Sequence, residues 1–206
     1  MILGGFHTNT TDMIWALSLL LNREEAYEKL QKELDQHVGR DRAVSESDVK
    51  NLIYLQAVVK ETLRMYPAGP LSVPRESMED CTVAGYHIPA KTRLWVNLYK
   101  LHRDPSVWEN PNEFCPERFL TTQKNFDVKG RNPQLIPFGA GRRICPGATF
   151  SLQLLHLSLA RLVHEFEIGR PSKEPLNMEE IAALNVTRKI PLQVVLAPRL
   201  STKVHE

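Results

Sequence analysis

The sequence predicts a mainly α fold with small antiparallel β-sheets, of the α+β class. Three observations lead there. Several stretches repeat apolar residues at helical spacing. Short alternating runs cluster between residues 67 and 98. Residues 103–147 carry Pro105, Pro111, Pro116, Pro133, Pro137 and Pro146 among Asn and Gly without regular periodicity. The 206 residues, 42% hydrophobic and 24% charged, have a globular composition that argues against disordered and fibrous classes. With 26 Lys+Arg against 24 Asp+Glu the net charge is +2, and there is no concentrated basic surface for nucleic acid to grip.

Along the chain, Ile14 to Leu21 is apolar on nearly all sides, as in a helix buried inside a larger protein. Asn22, with Glu25 three residues on, predicts the N-cap of a second helix whose apolar face is Tyr27, Leu30, Leu34 and Val38 and which ends at Gly39. Ser45-Glu-Ser-Asp48 is another capping signal. Val49, Leu52, Ile53, Val59 and Leu63 then predict a helix over about residues 46–66 that carries Glu61 and Arg64 and stops at Pro67. Thr82–Ile88 and Thr92–Val96, broken by Gly85 and Pro89-Ala-Lys91, read as a small antiparallel sheet. The proline-rich meander follows over 103–147, then a last long helix over about 147–166 and a closing strand over 191–196.

The apolar stretch Met13–Leu21 is about half of the roughly 20 residues a membrane span requires. The first residues lack the basic region and cleavage site of a signal peptide. Three widely spaced cysteines, Cys81, Cys115 and Cys145, form neither a disulfide framework nor a zinc-type cluster, and they fit a reducing compartment. One of them sits in the segment that carries chemistry, Pro137-Phe-Gly-Ala-Gly-Arg-Arg-Ile-Cys-Pro-Gly147. There Cys145 stands among glycines that let a flat cofactor approach the backbone, beside two arginines and just before a helix N-terminus, all of which favour the thiolate. A bare Gly-x-Gly-x-x-Cys would fit a glycine-rich loop with a buried cysteine equally well, and a lone Glu-x-x-Arg would read as a surface ion pair.

The longer pattern goes further. Phe138, Gly141, Arg143, Cys145 and Gly147 stand as Phe-x-x-Gly-x-Arg-x-Cys-x-Gly, which resembles the haem-ligand signature of the cytochrome P-450 family. Chance would place five such positions in a chain of this length with a probability on the order of one in ten thousand. Glu61-Thr-Leu-Arg64 resembles the family's Glu-x-x-Arg. Phe114-Cys-Pro-Glu-Arg-Phe119 resembles its Pro-Glu-Arg-Phe element, and Gly4-Gly-Phe-His-Thr8 resembles its oxygen-binding helix. The wording around Cys145 is most like that of plant microsomal enzymes of secondary metabolism.

The resemblance covers essentially the whole chain. It implies a single incomplete haem-binding domain, the C-terminal part of the cytochrome P-450 fold, with residues 1–21 as the oxygen-binding helix and the membrane anchor and early helices preceding Met1. It implies a haem-thiolate monooxygenase that uses dioxygen to hydroxylate a lipophilic small molecule, with a plant secondary metabolite as the substrate class. The length carries an alternative expectation, a truncated relative that at most binds haem. The implied cofactor is haem b, and the implied electron source is NADPH through a flavoprotein reductase docked near Arg142. The implied location is the cytoplasmic face of the endoplasmic reticulum membrane, or the cytoplasm for this chain alone.

Residue by residue, the resemblance makes Cys145 the axial iron ligand. Arg143 and Arg75 would pair with haem propionates, while Phe138, Gly139, Gly141 and Gly147 shape the ligand loop. Glu61, Arg64 and Arg118 would form a structural triad. Thr8 would stand beside dioxygen, with Gly4 and Gly5 opening space above the haem. Leu71, Ser72, Val73, Ala183, Leu184 and Asn185 would face substrate. His7 occupies the position where the family usually has an acid that relays protons, and Asn9 replaces a Thr or Ser. Cys81 and Cys115 are expected to be bystanders.

Overall fold

A computed structural model describes residues 2–181 and 184–201, with the surroundings of residues 2–4 and 6 left aside. Five helices carry the core. Helix α1 runs Ile2–Asn22, α2 Glu24–His37, α3 Ile53–Met65, α4 is the single turn Leu98–Leu101, and α5 runs Ala148–Glu165. Helices α1, α3 and α5 pack on one another, and α2 closes one side. Trp15, Leu20, Leu30, Leu34, Leu55, Leu63, Leu155 and Leu159 interlock between them, all essentially without solvent contact.

The strands pair into four two-stranded antiparallel sheets among the described residues. Strands β1 (Arg75–Glu76) and β4 (Arg93–Leu94) pair, and β2 (Cys81–Val83) forms a hairpin with β3 (Tyr86–Ile88). The hairpin turns at Ala84 and Gly85, with φ of 51° and 84°, the left-handed pair that a two-residue turn requires. Strands β5 (Phe166–Gly169) and β8 (Val195–Pro198) pair, as do β6 (Glu180–Ile181) and β7 (Thr187–Arg188). The closing strand thus begins at Val195, four residues later than the apolar run 191–196 predicts.

Two helix starts differ from the sequence expectation, each for a physical reason. Asn22 does not cap α2, because α1 runs through it. Its side chain instead clamps a distant segment, donating to the Leu176 carbonyl at 3.0 Å and accepting from the Leu176 amide at 2.7 Å. The helix expected over 46–66 is broken. Ser45 and Asp48 do close on each other, with the Ser45 amide donating to Asp48 Oδ2 at 2.8 Å, but only a 3-10 turn at Val49–Asn51 follows. The α-helix starts at Ile53 and is capped from another element. The Glu33 carboxylate of α2 accepts from the Tyr54 amide at 2.6 Å and the Leu55 amide at 2.9 Å, satisfying two donors that no local side chain reaches. Glu33→Ala should therefore cost about 1–2 kcal/mol in urea unfolding, the scale of a lost N-cap. An unchanged midpoint would remove the cap from the account.

Candidate functional site

At the C-terminal half of α3, the i, i+3 spacing of Glu61 and Arg64 puts both side chains on the buried face, each 0% exposed. Arg64 Nε and Nη2 donate to the two Glu61 oxygens at 2.7 and 2.9 Å, a bidentate fork. Arg118, 6% exposed in the 3-10 turn Pro116–Phe119, donates Nε to Glu61 Oε1 at 3.1 Å. The Cys115 amide donates to the same oxygen at 2.9 Å. Every remaining donor is spent on the meander. Arg64 Nη1 reaches the carbonyls of His102 and Pro111, both at 2.8 Å, and Arg118 Nη1 reaches that of Glu109 at 2.8 Å. The Arg64 guanidinium also lies 5.2 Å from the centroid of the buried Trp108 ring.

These bonds order an irregular segment that has few of its own. The chain then reaches the cysteine loop, which is folded by its backbone. The Gly139 amide donates to Ile136 O at 2.8 Å, Ile144 to Gly141 O at 3.1 Å, and Cys145 to Phe138 O at 2.9 Å. Gly139 and Gly141 hold φ of 75° and 68°, where a side chain is strained. Arg75 Nη2 donates to the Arg143 carbonyl at 3.1 Å, fastening β1 to the loop, while Phe138 packs on the core. Cys145 is exposed, and a Cβ at Gly147 would come within 3.8 Å of its sulfur. Arg142 and Arg143 form a 3-10 turn with exposed side chains. Among the described residues no cluster of three His, Cys, Asp or Glu side chains could hold a metal ion in the manner of zinc. A single exposed soft donor, glycines on both sides and nearby guanidinium groups fit a flat, anionic macrocycle held by one thiolate.

Helix α1 packs on α5, the helix that follows this loop. Asn9 accepts from Ser151 Oγ of α5 at 2.6 Å and donates to Gly5 O at 2.7 Å, so the residue that departs from the family pattern ties α1 to the helix leading from Cys145. Thr8 is half-buried and His7 is exposed. Trp15, on the same helix, stacks on Tyr66 with centroids 3.8 Å apart and donates to Val186 O at 2.8 Å. Val186 in turn donates its amide to Ala68 O at 3.3 Å. The residues just before Leu71, Ser72 and Val73 and those just after Leu184 and Asn185 are thereby joined beside Trp15 of α1. Leu71, Val73 and Leu184 are exposed at 50%, 60% and 78%. Ser72 sits at φ 58°, and its hydroxyl accepts from the Val96 amide at 3.2 Å. Ala183 and the surroundings of Gly4 lie outside the described residues.

Over residues 1–195 the chain matches the family model of cytochrome P-450. It belongs to the cytochrome P-450 family. It is 53% identical over 205 residues to xanthotoxin 5-hydroxylase of Arabidopsis thaliana, covering 99% of this chain and 39% of the relative. It is 56% identical to flavonoid-6-hydroxylase of Ocimum basilicum, with 100% of this chain and 38% of the relative covered. It is also 54% identical to strychnine-10-hydroxylase of Strychnos nux-vomica, with 100% and 39% covered. The chain spans about two fifths of the length of these curated relatives. Its fold is similar to a zebrafish cytochrome P-450 solved with abiraterone, at a TM-score of 0.83 and 32% identity over 93% of this chain and 45% of that one. The P-450 family is one of haem proteins, so membership implies that cofactor.

Several supporting residues carry no sequence signal that would single them out. Cys115 meets Glu61 through its amide, while its thiol donates to Glu117 Oε2 at 3.8 Å. Gly130, at φ 80°, leaves room for the cysteine loop, since a Cβ there would meet Gly139 O at 3.0 Å and Ala140 Cα at 3.1 Å. Asp12, one turn beyond Thr8, is 2% exposed with Oδ1 unpartnered, and burial pushes its carboxyl well above the ordinary value. The sign follows from that direction. The neutral form is favoured in the fold, so the stability Asp12 allows is fully present at low pH and is lost as pH rises through its elevated value. Asp12→Asn should therefore raise the melting temperature more at pH 8 than at pH 5, and an equal effect at both values would show that the carboxyl is not held neutral. Glu61→Gln leaves Arg64 and Arg118 buried without a counter-charge and should cost about 3–5 kcal/mol in urea unfolding, against less than about 1 kcal/mol if the cluster were an ordinary surface ion pair.

Proposed function

We propose that the protein serves a haem-thiolate monooxygenase that hydroxylates a lipophilic plant secondary metabolite. The observation that carries the reading is the exposed Cys145 sulfur, presented on a glycine-bounded loop whose backbone is tied to β1 by Arg75 and followed at once by α5. Haem b, when held there, would supply the reductive activation of dioxygen: one oxygen atom enters a substrate C–H bond and the other leaves as water, with two electrons and two protons completing the balance. We place the electron source at NADPH through a flavoprotein reductase. The family analogy supports that choice, and so does the exposure of Arg142 and Arg143 on the cysteine side.

This chain's own residues would do the rest. Cys145 would donate the thiolate, and Arg143 and Arg75 would neutralise propionate groups at the loop. Thr8 would offer its hydroxyl to dioxygen, and His7 would bring a titratable imidazole where a carboxylic acid is usual. Leu71, Val73 and Leu184 present apolar surface, with Ser72 and Asn185 as polar neighbours, which suits a largely apolar ligand. The relatives are named as hydroxylases of xanthotoxin, flavonoids and strychnine, and we extend that kind of substrate to this chain. No described helix is long and apolar enough to cross a membrane. The family analogy supports our reading that the working protein sits on the cytoplasmic face of the endoplasmic reticulum.

Reconstitution with haem followed by the reduced carbon monoxide difference spectrum tests the reading. The strongly red-shifted Soret band of thiolate ligation should form and should vanish in Cys145→Ala. A haem complex with the same spectrum in both proteins would assign the ligand elsewhere.

A further inference from the structure

His102 follows α4 at the start of the meander, 0% exposed. Two of its groups face in different directions. Its carbonyl accepts from Arg64 Nη1 at 2.8 Å, and its ring Nε2 lies 3.0 Å from the Ile136 amide, which donates to it. Ile136 opens the cysteine loop: its own carbonyl accepts from Gly139, and the next peptide but one, Phe138 O, accepts from Cys145. A continuous set of hydrogen bonds therefore runs from the Glu61 carboxylate through Arg64, His102 and Ile136 to the backbone of the cysteine.

An imidazole can accept at Nε2 only when neutral with the proton on Nδ1, and that Nδ1 has no partner among the described residues. The charged groups acting on the ring are Arg64 from α3 and Arg103 next in the chain. Behind them stand Glu61, bonded to Arg64, and Glu180, Tyr99 and Tyr66 around Arg103. Burial first, and then the two arginines, push the ring down to about 3.

We propose that His102 is a positioning residue, a fixed neutral acceptor that ties the Cys145 loop to the buried Glu61–Arg64–Arg118 cluster and so sets where the cysteine sulfur stands. Its consequence for iron ligation rests on the haem-thiolate reading, but the tie itself does not. A glutamine could keep the acceptor through its amide oxygen, whereas leucine would fill the space and orphan the Ile136 amide.

The test uses the full 206-residue chain. Nitrogen-15 NMR of the wild-type imidazole should show the neutral Nδ1-protonated form unchanged from pH 8 to pH 5. A ring that titrates near its ordinary value, or one protonated on Nε2, would overturn the proposal without any variant. In His102→Leu the Ile136 and Gly139 amides should exchange about tenfold faster than in wild type, and in His102→Gln within about threefold of it. Unchanged exchange in His102→Leu would overturn the tie. With haem loaded, His102→Leu should lose the thiolate-type carbon monoxide spectrum at a higher pH than wild type as the solution is acidified, and His102→Gln should restore the wild-type midpoint. If no form of the chain takes up haem, the haem reading fails while the exchange rates still decide the tie.

Discussion

One carboxylate organises this half of the molecule. Glu61 has no solvent, so its charge must be met by protein donors, and the donors it has come from two arginines and one backbone amide of a different segment. Desolvating three charges is expensive, and the attraction among them repays that cost only when every lone pair and every N–H finds a partner. That requirement is what gives the meander its shape. The carbonyls of His102, Glu109, Pro111 and Glu113 point inward because the guanidinium groups demand acceptors, and no regular ladder is needed to hold them. The cluster therefore trades stability for specificity in a stretch whose prolines deny it helix or strand.

Helix α1 shows a different economy. Its departures from the family pattern are not equivalent. Asn9 gains a structural task, bridging its own helix and α5, whereas His7 stays exposed. Asp12 places a buried carboxyl one turn beyond Thr8, and its burial pushes the pKa well above the ordinary value. The Trp15 stack on Tyr66 and its bond to Val186 then fix α1 against the segments that follow α3 and precede β7.

Much of this was legible in the sequence because it rests on local rules. Helical periodicity located α1, α2 and α5, whereas the two alternating runs read as one small sheet fall into two, the first a hairpin on itself and the second paired with Arg75–Glu76. The cysteine loop declared itself by residue types that must be local, glycines at positive φ and a cysteine at a helix start. What escaped depends on partners distant in sequence. Glu33 caps α3 from 21 and 22 residues away, a pairing no window around Ile53 contains, so Ser45-Glu-Ser-Asp48 places the helix start too early. Asn22 reads as a cap and is a clamp on Leu176. Cys115 looked like a spare thiol because its contribution is an amide that every residue but proline has. His102 gave no signal, since a single histidine before Arg-Asp-Pro says nothing about which nitrogen accepts or from whom.

The central claim is that the cysteine loop, the meander and α3 form one cooperative unit through Glu61. Native-state hydrogen exchange of the chain across low urea concentrations tests it most directly, at the amides of Cys115, Ile136 and Cys145 and at Val58 and Thr62 inside α3. All five amides should share one opening free energy and one dependence on urea. Opening of Ile136 and Cys145 at low free energy and with little urea dependence, while Val58 and Thr62 stay closed, would contradict it.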